Sequence, residues 1–354
     1  MKKRQTALLL AGMLTVSLMT GCGGVNKNAT AASMDGAEVS LGIANFYCHY
    51  QQASVEDYYR MYMGDDVWHQ DMYGDGTTMQ ESLKNSVMDS LHDMYTLKAH
   101  MADYGVELTD AEKTAITEAA SAFMSGNSSD AVGEMGATQE LVEELLTLYT
   151  IQYKMSDAVK ADADITVSDE EANMRGYTQI EIRTDSYTDA DGNSVAYTED
   201  EAAALKQTAQ DMLTELAAAG ATMESVAQAH GYETTAETYE TYESAEDAES
   251  EESDEEEDPI MAALKGLKEG ETSGVIETDS ALYIVHVDSD TDAEATQKNR
   301  DSIIEQRKNE HYSEVLESWQ EEDGWQVKEK QLAKIQFKNF LTITDPNAPA
   351  DAQQ

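Results

Sequence analysis

Along most of the chain apolar residues recur every three or four positions, and near Tyr177 the period switches to strict alternation. The first run, Ala7 to Met19, is thirteen mainly apolar residues behind Lys2, Lys3 and Arg4. As a helix it reaches about 20 Å, short of the ~30 Å of hydrocarbon a span must cross, so it reads as an export leader. Residues 23–33 are small, polar and without period, the pattern of a flexible tether. Met34 to Ser40 predicts a short strand and turn, with Ser40 capping a helix that carries Ile43, Phe46, Tyr47 and Tyr50 on one side. A long amphipathic helix follows over 79–104, with Leu83, Val87, Leu91, Met94, Tyr95 and Met101 at helical spacing. Thr109 with Glu112, and Ser168 with Glu171, have capping-box spacing, and 139–159 is a further amphipathic helix. Residues 34–175 therefore read as mainly helical.

Tyr177 to Ile182 alternates as a strand should, and Asp189 to Ser194 is turn chemistry. Helices are expected over 198–219, 223–229 and 260–267, with two strands in 273–287 around Asp279-Ser280. A charged helix over 294–322 comes next, then an alternating stretch, 332–343, that reads as a strand. Residues 344–354 read as a loose tail. Between the short helices, 245–258 holds ten acids in fourteen residues. Like charges at that density cannot pack, so this segment is expected to be a solvated loop.

Length and charge narrow the functional classes. A chain of 354 residues accommodates two ordinary domains, and 41% apolar residues can supply their cores. Without residues 1–21 there remain 20 basic against 70 acidic residues, a formal charge of −50. Such a surface repels nucleic acid and anionic head groups, while basic or cation-bridged partners are allowed. With two cysteines, Cys22 and Cys48, there is no disulfide framework. Cys48 lies on a helix beside His49, which could activate a thiol, but one neighbour in sequence is too little and a buried inert thiol is expected. No cofactor or metal site is expected. Asp189, Asp191, Asn193 and Asp200 lack the glycine of a calcium loop, Asp71, Asp75 and Gly76 lack its closing glutamate, and His92 and His100 lie eight apart.

Leu18-Met19-Thr20-Gly21-Cys22 resembles the lipobox of bacterial lipoproteins, with Met19 where that family usually has Leu, Val or Ala. The resemblance implies a signal peptide at 1–21, a diacylglycerol on Cys22, and a tether over 22–33 at the outer face of the cytoplasmic membrane. A second resemblance covers nearly all the remaining chain. MDGAEVS at 34–40, VSDEE at 167–171, YTQIEI at 177–182 and LKEGETSGVIETDSALYIVHV at 267–287 are similar to segments of the PrsA and SurA extracytoplasmic folding factors. It implies an α+β fold: a mainly helical chaperone module built from both chain ends, with an inserted parvulin-like domain of antiparallel sheet and short helices. Its segments would be a SurA-like helical region over 34–175, a parvulin-like domain over 176–288, and a helix and strand over 289–343 returning to the helices.

Parvulins isomerise X-Pro bonds with two histidines facing each other beneath a proline pocket. In this chain Gln179 and Tyr283 stand at those positions, Ile260 stands where the family has a pocket phenylalanine, and Met261 adjoins it. The implied function is a membrane-anchored foldase binding unfolded or extended secreted polypeptides, with an isomerase domain that is weak or inactive. An active peptidyl-prolyl isomerase and a solute-binding lipoprotein of a transporter are the alternatives, and homodimer formation is left open. The 18 methionines and 18 tyrosines suit a surface that accepts many client shapes, although at helical spacing most belong to a core.

Overall fold

A computed structural model describes residues 13–17, 25–72, 74–242 and 258–344, with the backbone alone at 13–17 and 342–344. The chain forms two units. The terminal unit takes Met1–Ala163 and Lys308–Gln354, and the inserted unit is Asp164–Arg307. The expected signal peptide other than residues 13–17, the expected lipid-bearing Cys22, the expected acidic loop before Asp258 and the expected tail beyond Thr344 lie outside the described residues.

In the terminal unit, strand β1 (Met13–Ser17) is followed by β2 (Thr30–Met34), β3 (Ala37–Ser40) and α1 (Leu41–Met63). Ser40 caps α1 as its sequence predicts, accepting from the Ile43 N–H at 3.2 Å. A 3₁₀ turn at Val67–His69 leads to α2 (Met79–Ala99), α3 (Asp110–Gly126), α4 (Ser129–Glu134) and α5 (Gln139–Lys160). The Thr109 and Glu112 capping box is made, and Thr78 with Glu81 makes another. Phe46, Trp68, Leu91, Met94, Leu145 and Leu148 form one core with Ile335, Phe337 and Leu341 from the far end of the chain.

The inserted unit begins with α6 (Asp169–Ala172), capped by Ser168 and Glu171. Next come β4 (Met174–Arg183), β5 (Ser186–Thr188), β6 (Ser194–Ala196), α7 (Glu199–Leu216), α8 (Met223–Ala229) and β7 (Thr234–Glu240). After Asp258 follow α9 (Pro259–Gly266), β8 (Ile276–Glu277), β9 (Ala281–Ser289) and α10 (Ala293–Glu322). The sheet order is β7-β4-β9-β8, all antiparallel. The 189–194 turn closes the β5–β6 hairpin, with Asp189 accepting from the N–H groups of Asp191 and Asn193.

From Lys308 onward α10 belongs to the terminal unit, where Leu316 packs with Leu97, Ile151 and Met155. Trp319 stacks on the His100 ring at 4.1 Å. Asp323 then binds His92 Nε2 at 2.8 Å and accepts from Thr96 Oγ1 at 2.9 Å. Strand β10 (Gln326–Val327) adds to β2, so both chain ends share one three-stranded sheet. Helix α11 (Glu329–Leu332) and strand β11 (Phe340–Thr344) complete the unit. The α+β class, with a helical module built from both ends and a small sheet domain inserted, is the observed one.

Three expectations differ from what is found. The tether ends early, because Ala31 and Ala32 are fully buried in β2. The inserted unit is wider than 176–288: Arg300 donates to the Val167 carbonyl at 2.6 Å and to Asp169 at 2.7 Å, and Arg307 pairs with Glu171. These arginines of α10 hold the 164–172 stretch to the insert. Finally, 332–343 is a strand only from Phe340. Ile335, Phe337, Asn339 and Leu341 are buried in alternation, as expected, yet helix side chains serve the backbone up to Leu341. Gln80 accepts from the Phe337 N–H at 2.7 Å, Gln52 donates to the Asn339 carbonyl at 3.0 Å, and Glu56 accepts from the Leu341 N–H.

Candidate functional site

The two faces of the inserted sheet follow from strand alternation. Ile180, Ile182, Leu282 and Ile284 turn to one side and pack against Ala209 and Met212 of α7 and Met223, Val226 and Ala227 of α8. Tyr177, Val285, Val287 and Tyr239 turn to the other side, against Leu264 of α9, with Ile260 and Met261 at its margin. Gln179 is opposite Val285 and Tyr283 is opposite Glu181, so Gln179 and Tyr283 share this second face. They are diagonal neighbours on adjacent strands, about 7–8 Å apart by strand geometry. Both are half-buried.

Helix α9 is held over this face by identifiable contacts. Asp258 caps it, accepting from the Ile260 N–H at 2.8 Å, and Pro259 occupies the first turn, where a missing N–H costs nothing. At the other end Arg175 donates to the Leu267 carbonyl at 2.9 Å and to the Tyr239 hydroxyl at 2.6 Å, while that hydroxyl donates to the Leu264 carbonyl at 3.2 Å. Ile260 and Met261, both half-buried, thus sit over the face that carries Gln179 and Tyr283. The structure brings all four together in one region; Cys22 is outside the described residues.

The chemistry available there is hydrogen bonding against an apolar wall. Burial raises the Tyr283 pKa, and the charge and hydrogen bond of Glu181 raise it further, so the phenol stays protonated with Glu181 as the acceptor of its proton. Burial likewise raises the pKa of Tyr177 and of Tyr239, in the second case against the opposing pull of Arg175. His286 is on the α7 and α8 side and half-buried, with Nδ1 at 2.8 Å from Thr272 Oγ1. It cannot reach a ligand beside Tyr283. Among the described residues no group of three or more His, Cys, Asp or Glu side chains is arranged to hold a metal ion. Sequence reasoning missed Glu181 and Arg175. The parity of β4 could have placed Glu181 with Gln179, but only the fold shows Arg175 reaching α9.

The terminal unit offers a second surface. Tyr58, Met61 and Tyr62 near the end of α1 are 62%, 70% and 67% exposed, one stripe at helical spacing. Next to them the Arg60 guanidinium carbon is 3.8 Å from the centroid of the Phe340 ring at the start of β11. Cys48 is fully buried, and burial pushes its thiol up to about 12, which removes it as a nucleophile. Among the described residues no helix is long and apolar enough to cross a membrane.

Residues 171–298 match the family model described as the PPIC-type PPIase domain. That match begins in α6 and ends in the first turns of α10, close to the bounds of the inserted unit. No curated protein matches the chain. Among solved structures, a SurA-like chaperone of Campylobacter jejuni is 10% identical, covering 85% of this chain and 99% of its own, with a TM-score of 0.28. The peptidylprolyl isomerase PrsA of Bacillus cereus is 16% identical over 75% of this chain and 96% of its own, TM-score 0.29. The foldase PrsA of Streptococcus pneumoniae is 19% identical over 76% and 94%, TM-score 0.26. TM-scores this low carry no residue-level correspondence, so the domain match over 171–298 is the firm one.

Proposed function

We propose that this chain is a PrsA/SurA-type folding factor that works outside the cytoplasm on secreted polypeptides. The observation that carries the reading is a PPIC-type PPIase domain inserted in a helical unit made from both ends of the chain. In this reading residues 1–21 are a signal peptide and Cys22 carries the lipid that anchors the protein to the outer face of the membrane. The helical unit binds extended apolar segments, and the inserted domain holds proline-containing stretches against Ile260 and Met261.

Isomerisation itself is weak in this reading. Rotation about X-Pro faces a barrier of roughly 20 kcal/mol, and lowering it needs groups oriented toward the twisted amide. Tyr283, its proton engaged by Glu181, can accept, and Gln179 can donate or accept, but neither brings the paired imidazoles of parvulins. Full isomerase activity is the alternative reading, favoured by the shared face of Gln179, Tyr283 and the α9 wall. A solute-binding lipoprotein would need two lobes of repeated strand-helix units, which the described residues do not form.

Two assays on the purified chain test the proposal. Suppression of aggregation of a chemically denatured client at stoichiometric amounts is the expected result, and no suppression overturns the foldase reading. Acceleration of cis-to-trans exchange in a proline peptide is expected to be slight; a rate typical of an efficient enzyme would replace the weak-isomerase reading with the active one.

A further inference from the structure

Strand β11 has two edges with different fates. Its inner edge faces helices, and there the Leu341 N–H is taken by the Glu56 carboxylate in the buried row that also includes Gln52 and Gln80. Its outer edge pairs antiparallel with β1, in the register Met13↔Thr344, Leu14↔Ile343, Thr15↔Thr342, Val16↔Leu341 and Ser17↔Phe340. These two strands form a sheet of their own, so among the described residues β1 is the one strand paired with β11. Because Leu341 turns its N–H inward, antiparallel alternation directs the N–H and C=O groups of Phe340, Thr342 and Thr344 to the outer edge. The segment seated there, Met-Leu-Thr-Val-Ser, comes from the apolar run before Gly21-Cys22.

Removal of residues 1–21 vacates that edge. A strand edge with unpaired backbone groups is a template for another extended chain, and pairing through the main chain accepts many sequences. The neighbouring stripe of Tyr58, Met61 and Tyr62, which Arg60 and Phe340 bring to the start of β11, supplies exposed flexible and aromatic surface for side chains of varied shape. The charge of the chain disfavours acidic segments.

We propose that the outer edge of β11 is a strand-addition site for an extended apolar segment of a client polypeptide, and that Met13–Ser17 holds this place until the leader is removed. The unprocessed chain is then self-occluded, and export and opening of the site are one event. This rests on the reading of the chain as an exported folding factor. It goes beyond that reading in naming the strand, the register and the class of ligand.

The test uses the chain from residue 22 onward with Cys22→Ser, and a fluorescent synthetic peptide of residues 10–20. N-methylation of the Thr15 amide, which faces β11, is expected to weaken binding at least tenfold relative to N-methylation of Val16, whose amide faces away. A reduced, denatured client is expected to displace the peptide, and the chain with residues 1–21 retained is expected to bind it at least tenfold more weakly. Equal binding of the two methylated peptides overturns strand addition, and failure of the client to displace the peptide overturns the client assignment. A dimer that blocks the peptide would assign the edge to a second copy instead and likewise overturns it. Aggregation suppression is scored separately. Suppression without methylation dependence sinks this inference and spares the foldase reading, whereas its absence sinks the foldase reading.

Discussion

Glu56 is the place where a single substitution tests most of the reasoning about the terminal unit. Its carboxylate is fully buried and accepts from Trp68 Nε1 at 2.5 Å, from Gln52 Nε2 at 3.2 Å and from the Leu341 N–H. Glu56→Ala strands the first and last of these, while Gln52 keeps the Asn339 carbonyl as one acceptor. A buried donor without a partner costs about 1–3 kcal/mol, so two full losses and one partial loss amount to about 3–5 kcal/mol. Removing a desolvated charge returns part of this, and the expected net loss is about 3 kcal/mol. Urea unfolding followed by tryptophan fluorescence reads the right unit, because Trp68, Trp319 and Trp325 all belong to it. A loss below about 1 kcal/mol refutes the role of Glu56 as the anchor of β11.

A pH series separates charge from hydrogen bonding at the same position. Burial is the largest influence on Glu56 and raises its pKa above the ordinary 4.5, despite the opposing pull of its donors. The folded chain therefore holds this proton more tightly than the unfolded chain, and stability falls as pH rises from about 4.5 through the folded pKa. Glu56→Gln does not titrate. The stability of the wild-type chain relative to this variant is expected to decline as pH rises above about 4.5, and a rise with pH refutes the assignment.

Four further outcomes follow from the packing. With Cys22→Ser in place, Cys48 is expected to resist an aromatic disulfide reagent in the native chain and to react fully in urea; fast native labelling contradicts its burial. Asp323→Ala removes the partner of His92, Thr96 and the Trp325 N–H and is expected to cost about 2–4 kcal/mol in the same fluorescence titration. Gly136 has φ of 63°, and a Cβ there would lie 2.9 Å from Asn45 Nδ2, which donates to the Met135 carbonyl. Gly136→Ala is accordingly expected to lower stability by about 2 kcal/mol, seen as an earlier urea midpoint. Installing imidazoles with Gln179→His and Tyr283→His is expected to raise proline-peptide exchange about tenfold or more, with no increase arguing that more than these two positions separates the face from a working isomerase.

How far the sequence reveals this fold depends on which interaction decides each element. Where a local bond decides, as with Ser40 on Ile43, Thr109 with Glu112 or Ser168 with Glu171, the cap is legible and the helix begins where it says. Strand parity is also legible: the alternation in 177–182 is enough to put Gln179 and Ile180 on opposite faces. Buried polar side chains are not. Gln52, Glu56 and Gln80 look like solvent positions of amphipathic helices, yet they stand in for a missing strand beside 337–341, which is why an alternating segment reads as a longer strand than it forms. The limits of the inserted unit were hidden for a related reason. They are set by Arg300 and Arg307, which reach back more than a hundred residues to partners at 166–171.

That last contact has an architectural consequence. Arg307, the final residue of the insert, donates to the Thr166 carbonyl near its beginning, so the excursion starts and finishes at one doorway. Closing a gap between neighbouring ends takes few residues and little chain entropy. A whole domain can therefore be carried at this point as a removable cassette, acquired, exchanged or allowed to drift in its chemistry while the host around it keeps its connections.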